Sequence, residues 1–370
     1  MSVSDMANAA ARLLHHREKG MESGASIVPP IAPASIYYLP GAPNVAHQYG
    51  RWTNPTWTAL EDALAVLEDA ECVTVPSGMA AIASVLLTQT KPGDRVIIPA
   101  DGYYTTRTFA DKYLTPAGVL VEPVPTGDLE ATSFEGIRLV YVETPSNPGL
   151  DLCDLHVVIR KAKAAGAIVV VDNTTLTPFG QRPLDLGADV IVASDSKAPN
   201  GHSDVLMGHI ASRNAGIVQA VRDWRKLVGA IPGHFEAWLL NRGMETLEVR
   251  FDRMCTSAAI IAERLSEHAA VKAVKYPGLA THPRHALARK QMLRFGSVLS
   301  LTVADAKAAD TFIANAKFIL PATSFGGVHT SAERRARWGD QVPEGFIRLS
   351  IGIEPTEILW KDIASSLAIL

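Results

Sequence analysis

The chain has 370 residues, 47% of them hydrophobic and 20% charged, with a formal net charge of −3. That is ample apolar material for a large core spread over two or three domains, and the absence of a dominant basic run argues against a nucleic-acid partner. Three cysteines, Cys72, Cys153 and Cys255, lie far apart with no C-x-x-C pair. Neither a disulfide framework nor a structural zinc site is expected, and a reducing, cytoplasmic setting is the simplest reading. The opening segment MSVSDMANAAARLLHHREKG has no apolar h-region, so no secretory signal is expected.

Residues 1–50 are rich in Pro, Gly and Ala, with PPIAPAS at 29–35, and are predicted to form an extended arm. Strand-like runs then fall at 73–75, 95–99, 119–124, 139–143, 168–172 and 190–194, with helical patterns at 79–88, 105–114 and 155–165. Continuous apolar strands separated by helices predict a mostly parallel sheet covered on both faces. The uncharged stretch 72–90 is broken by Pro76, Ser77 and Gly78, so it reads as strand, turn and helix and not as a membrane span. From about residue 231 the pattern changes to a long helical stretch at 235–268, followed by strands near 298–303 and 346–351. The expected organisation is an arm at 1–50, a large α/β domain at 51–232 and a smaller α+β domain at 233–370.

Ligands of open α/β sheets bind at the carboxyl ends of the strands, so the residues delivered there are the candidates. They are Ser77, Gly78 and Met79 opening a helix, Tyr103 in DGYY, Asn147 in TPSNP, Asp172, and Ser194, Ser196 and Lys197. Each has an ordinary reading. Ser77 suits a helix cap, Asn147 before Pro148 suits a turn, Tyr103 suits a rim, Asp172 suits a cap, and Lys197 suits a solvated loop. Together, however, successive strand ends offer a phosphate cradle, an aromatic plate, an amide, a carboxylate and an amine. Those are the parts needed to hold pyridoxal 5'-phosphate (PLP). In this reading Lys197 is the covalent anchor for the cofactor aldehyde, and Asp172 pairs with the pyridinium nitrogen. Tyr103 lies on the ring face, while Ser77, Gly78, Ser194 and Ser196 bind the phosphate. A dehydrogenase is not expected, since no G-x-G-x-x-G follows the first strand.

The motifs YGRWTNPT (49–56), PSGMAA (76–81), DGYYTT (101–106), ETPSNP (143–148), VVDNT (170–174), SDSKAPNGHSD (194–204), SFGG (324–327) and IRLSIGIE (347–354) occur in this order. In them the chain resembles the Cys/Met metabolism family of PLP-dependent enzymes, the cystathionine lyases and synthases. The resemblance implies the aminotransferase-like architecture called fold type I and a sulfur-containing amino acid as substrate. It also implies a homo-oligomer, usually a tetramer, whose active sites are shared between two subunits, with no membrane partner. Tyr49 and Arg51 would reach the phosphate of a neighbouring subunit. Arg348 would clamp the substrate α-carboxylate, with Asn147 and Ser324 in support, and Lys197 and Tyr103 would be catalytic. His202, just past the lysine, is expected to shape the loop, since Lys197 already suits the proton-transfer role.

Within that resemblance the segments DNTTLTP and ETPSNPGL match the γ-lyase and γ-synthase side. The expected activity is therefore that of a cystathionine γ-lyase. The alternatives are a β-lyase, a γ-synthase or O-acetylhomoserine sulfhydrylase, and a PLP-binding protein without turnover. Several positions depart from the family pattern: Thr105 where methionine γ-lyases carry Cys, Thr323 before Ser324-Phe325, Ala198 after the lysine, and the segment at 328–340.

Overall fold

The computed structural model describes residues 3–18, 21–42 and 44–370; residues 1, 2, 19, 20 and 43 of the expected arm lie outside the described residues. The larger sheet has seven strands: β1 (Glu71–Val75), β2 (Arg95–Pro99), β3 (Leu120–Val124), β4 (Ile137–Glu143), β5 (Ile168–Asp172), β6 (Val190–Ser194) and β7 (Gly208–Ser212). Their spatial order is β1-β7-β6-β5-β4-β2-β3. Strands β2 to β6 pair in parallel. Strand β7, which the sequence reading missed, runs antiparallel to both β1 and β6. All strands except β7 therefore point the same way, and their carboxyl ends meet along one edge.

Side chains alternate between the two faces of a strand, and here both faces are apolar. In β5, Val169 and Val171 enter one buried cluster while Val170 enters the other. In β4, Val140 and Val142 face the first cluster, and Leu139 and Tyr141 the second. This double burial explains why the strands read as continuous apolar runs. Helix packing against the sheet begins at caps legible in the sequence. Asn54 accepts from Thr56 N at 2.8 Å ahead of the helix Pro55–Glu68, and Ser77 accepts from Ala80 N at 3.0 Å ahead of Gly78–Gln89. Among the described residues no helix is long and apolar enough to cross a membrane.

The arm is not wholly extended. Val3–His15 is a helix, and its Met6 and Leu13 join the larger core while Ala9 is also buried. The spacing of these residues is that of one helix face, which the Pro-rich stretch downstream obscured. The rest of the arm exposes Ile27, Ile36 and Tyr38, the last at 91%.

The expected long helix at 235–268 is two helices, His234–Met244 and Leu247–Ser266. The first packs Ala237, Leu240 and Met244 into the larger core. The second changes core along its length: Leu247 and Phe251 belong to the larger core, and Ala258, Ile261 and Leu265 to the smaller one. The smaller sheet comprises β8 (Ala273–Lys275), β9 (Val298–Thr302), β10 (Leu320–Pro321), β11 (Ser331–Arg334) and β12 (Phe346–Ser350), in the order β10-β11-β12-β9-β8.

Candidate active site

A cavity of about 500 Å³ opens at the carboxyl edge of the larger sheet, roofed by the loop before β11 and by β12. Ser77, Gly78, Met79, Tyr103, Asn147, Asp172, Ser194, Ser196, Lys197, Ser324 and Arg348 all line it. The strand-end residues thus converge as the topology requires. Tyr49 and Arg51 do not line it. Arg51 donates to the Lys226 carbonyl at 2.5 Å and lies 5.3 Å from the Tyr49 ring centroid.

At one end of the cavity the N-terminus of the helix Gly78–Gln89 abuts β6. A Cβ added to Gly78 would lie 2.6 Å from Ser194 Cβ, so only glycine permits this approach. The Ser196 hydroxyl is engaged with the Met207 backbone, donating to its carbonyl at 3.2 Å and accepting from its N–H at 3.1 Å.

At the sheet edge, Asp172 is buried beside Glu143, its register partner on β4. Asp172 Oδ2 accepts from the Tyr141 hydroxyl at 2.7 Å, and Oδ1 accepts from Thr174 N at 3.0 Å. Burial pushes the Asp172 carboxyl up, while the Thr174 and Tyr141 hydrogen bonds and the Lys197 charge oppose that push. Glu143 accepts from Tyr103 N at 2.7 Å and from Asn147 N at 2.8 Å. Burial and the Asp172 charge push its carboxyl up to about 8. One carboxyl group therefore ties the loop bearing Tyr103 to the loop bearing Asn147. Glu143 is a functional position that the motif ETPSNP alone does not single out; its place as the last residue of β4 is the signal that marks it.

Lys197 follows β6 on a tight turn, with Lys197 N bonded to the Ser194 carbonyl at 3.2 Å. Burial holds its ammonium below the ordinary lysine value, Arg348 adds to that push, and Asp172 opposes it. Its Nζ lies 5.5 Å from the centroid of the Phe325 ring. The turn is gripped from behind by buried Arg250, which donates to the carbonyls of Ala198 at 2.8 Å and Pro199 at 3.1 Å. From the roof, Gly326 presses on the same turn, where an added Cβ would lie 2.6 Å from Ala198 N. Ala198 is itself buried in that packing. His202 Nδ1 bonds to the Asn200 carbonyl at 2.7 Å, a contact within the loop.

Arg348 on β12 donates to Asn147 Oδ1 at 2.8 Å, to the Ser324 carbonyl at 2.9 Å and to Glu333 Oε2 at 2.9 Å. The Ser324 contact is through its backbone, which holds a left-handed φ of 77°. Burial pushes the guanidinium down to about 10, with Arg335 adding to that push and Glu333 opposing it. Of the unusual 328–340 segment, Glu333, Arg335 and Trp338 line the cavity. Arg334 instead pairs with Asp310 and Glu344 at 3.0 Å each.

This constellation has counterparts. Residues 10–368 match the profile of Cys/Met metabolism PLP-dependent enzymes. The chain belongs to that family. A protein of Streptomyces coelicolor named "Putative cystathionine gamma-lyase" is 48% identical, over 90% of this chain and 87% of its own. A cystathionine beta-lyase of Lactococcus lactis subsp. cremoris is 36% identical, over 87% of this chain and 88% of its own. The crystal structure of a cystathionine gamma synthase from Xanthomonas oryzae pv. oryzae, in complex with aminoacrylate and cysteine, superposes with a TM-score of 0.92 at 35% identity, covering 97% of each chain. The protein is thus a PLP-dependent carbon–sulfur enzyme of trans-sulfuration.

The donor set fits the family's cofactor. Free N–H groups at the helix start beside Ser194 suit a phosphate dianion. A buried carboxylate braced by Tyr141 and Thr174 suits a protonated ring nitrogen. A lysine with a lowered pKa is the amine that an aldehyde requires. Bound here, PLP would act as an electron sink for the carbanion formed at the substrate Cα.

Proposed function

We propose that the enzyme cleaves L-cystathionine on the γ side, converting it with water to L-cysteine, 2-oxobutanoate and ammonia. The observation that carries the amino-acid chemistry is that the Lys197 amine and the Arg348 guanidinium both lie against the Phe325 ring in the cavity, 5.5 Å and 5.4 Å from its centroid. A substrate whose carboxylate is held by Arg348 would present its Cα proton toward Lys197. Burial and the Arg348 charge lower the Lys197 pKa, which favours the neutral amine that this proton transfer needs. In γ-cleavage the same nitrogen also moves a proton at Cβ before sulfur departs, and the hydroxyl of Tyr103, which lines the cavity, donates to the leaving sulfur. Tyr103, Asp172, Ser77, Gly78, Met79, Ser194 and Ser196 hold and orient the cofactor. The γ assignment draws its support from the 48% identical relative.

Product analysis tests it. Incubation with L-cystathionine should release cysteine and 2-oxobutanoate. Homocysteine and pyruvate would mean β-cleavage, and turnover only with O-acetylhomoserine and sulfide would mean a synthase-type enzyme. Lys197→Ala should abolish turnover.

In the same reading Tyr49 and Arg51 serve the cofactor phosphate of a neighbouring subunit, so the working unit is a homo-oligomer, a tetramer of two such dimers. Their position outside their own chain's cavity supports this. The three buried free thiols support a cytoplasmic setting.

A further inference from the structure

The proposed chemistry gives no role to Glu333, a buried carboxylate at the centre of a side-chain cluster around Arg348. Its Oε2 accepts from Arg348 Nη2 at 2.9 Å and from Arg335 Nη1 at 2.8 Å. Its Oε1 accepts from the Trp338 indole N–H at 2.5 Å. Glu333 is 1% exposed and sits on β11 directly opposite Arg348 on β12. Arg335 is in turn held by Asp340 at 2.6 Å. Two guanidinium groups sharing one carboxylate oxygen would repel each other without it, because both are buried and like charges in a low-dielectric site interact strongly. The three side chains that hydrogen-bond to Glu333 all line the cavity, while Arg337, 3.7 Å from its Oε1, does not.

We propose that Glu333 is a positioning residue for substrate recognition: it fixes the Arg348 guanidinium in the orientation that receives the amino-acid carboxylate and anchors the adjoining cavity wall, Arg335 and Trp338, in the same frame. Selection for substrates bearing an α-carboxylate therefore depends on a side chain that never touches substrate. The fixed orientation has a geometric cause. Asn147, Ser324 and Glu333 engage Arg348 from its own strand neighbour and from two loops, and Glu333 alone among the three carries the charge that offsets the second arginine. This rests on the reading of Arg348 as the carboxylate clamp.

The test uses the cofactor-loaded enzyme titrated with glycine and, separately, with methylamine, which has the amine but no carboxylate. Binding is read from the change in cofactor absorbance. Glu333→Gln keeps the shape and one acceptor oxygen but removes the charge; Glu333→Ala removes both. Glycine binding should weaken about tenfold in Glu333→Ala, a loss of about 1.4 kcal/mol. It should weaken less in Glu333→Gln, with methylamine binding unchanged in both. Equal weakening of the two ligands, or unchanged glycine binding, overturns the proposal; if the alanine variant does not fold, the glutamine variant decides alone. Arg348→Ala separates the two readings. If it fails to weaken glycine selectively, the clamp itself is wrong. If it does weaken glycine while the Glu333 variants do not, only the role of Glu333 falls.

Discussion

Glu143 and Asp172 lie side by side as register partners on adjacent parallel strands, both buried, at the floor of the active site. Two carboxyl groups so placed do not ionise independently. Burial raises both, but hydrogen bonds from Thr174 and Tyr141 and the Lys197 charge oppose the rise at Asp172. Glu143, with the Asp172 charge adding to its burial, is pushed up to about 8.

That asymmetry predicts a pH-dependent stability. A carboxyl raised in the folded state binds its proton more tightly there than in the unfolded chain. Its contribution is whole below the unfolded value of about 4.3 and is lost as pH rises through about 8. Glu143→Gln cannot ionise, yet its NH2 group only donates, so one of Tyr103 N and Asn147 N loses its acceptor, a loss of about 1–3 kcal/mol. The variant should be less stable than wild type at pH 6, and the gap should narrow by pH 9. Urea midpoints at the two pH values measure it, and a constant gap would assign the proton elsewhere.

His209 is sandwiched between Asp195, 2.9 Å from its Nδ1, and Glu68, 3.4 Å from its Nε2. Burial alone would push the imidazole down, but Asp195 and then Glu68 outweigh it and hold it at about 10. Here the stabilisation is whole below the unfolded value of about 6.5 and is lost as pH rises through about 10. His209→Gln leaves two buried carboxylates without their cation, a cost of about 3–5 kcal/mol. Because Asp195 lies two residues before Lys197, cofactor affinity should fall as well. Denaturation at pH 6 and pH 10 should show the variant's deficit largest at the lower pH.

Arg348→Lys keeps the charge and loses the planar fork. One ammonium cannot span Asn147 Oδ1, the Ser324 carbonyl and Glu333 while facing a substrate carboxylate. KM should rise about tenfold or more, the equivalent of about 1.4 kcal/mol, with a smaller change in kcat. Steady-state kinetics decide; an undiminished kcat/KM would remove Arg348 from substrate binding.

Gly326→Ala tests how the roof holds the lysine turn. Gly326 has a φ of +79°, and an added Cβ would lie 2.6 Å from Ala198 N, a backbone atom with no room to withdraw. The backbone conformation alone costs about 1–2 kcal/mol for an alanine, and the clash adds to it. Thermal unfolding should show the loss, and displacement of the turn should lower kcat with cofactor still bound.

Much of the site was legible because a parallel strand delivers its own next residues to the ligand edge. Asp172 ends β5, Lys197 lies three residues past β6, and Ser77 caps the helix after β1, so local order carries the geometry. Arg250 and Glu333 were not legible in this way. Arg250 reaches the lysine turn from a helix 52 residues away in sequence. Glu333 lies in a strand short enough to read as loop, and its meaning depends on which strand pairs with it. Strand β7 escaped notice because its antiparallel course breaks the alternation of strand and helix that marks the others. The helix at Val3–His15 hid within an arm whose composition is dominated by the prolines after it.

By itself, then, the amino-acid order determined the layered α/β scaffold and the delivery of Lys197 and Asp172 to one strand edge. Burial on both faces leaves an apolar signature in each strand, and strand ends carry chemistry in fixed local positions. Tertiary structure alone decided how the substrate end is built: which carboxylate faces Arg348, what grips the lysine turn, and which side chains of the 328–340 segment turn inward. Those contacts join segments far apart in the chain, where pairing register and charge balance select the partner and no local pattern records the choice.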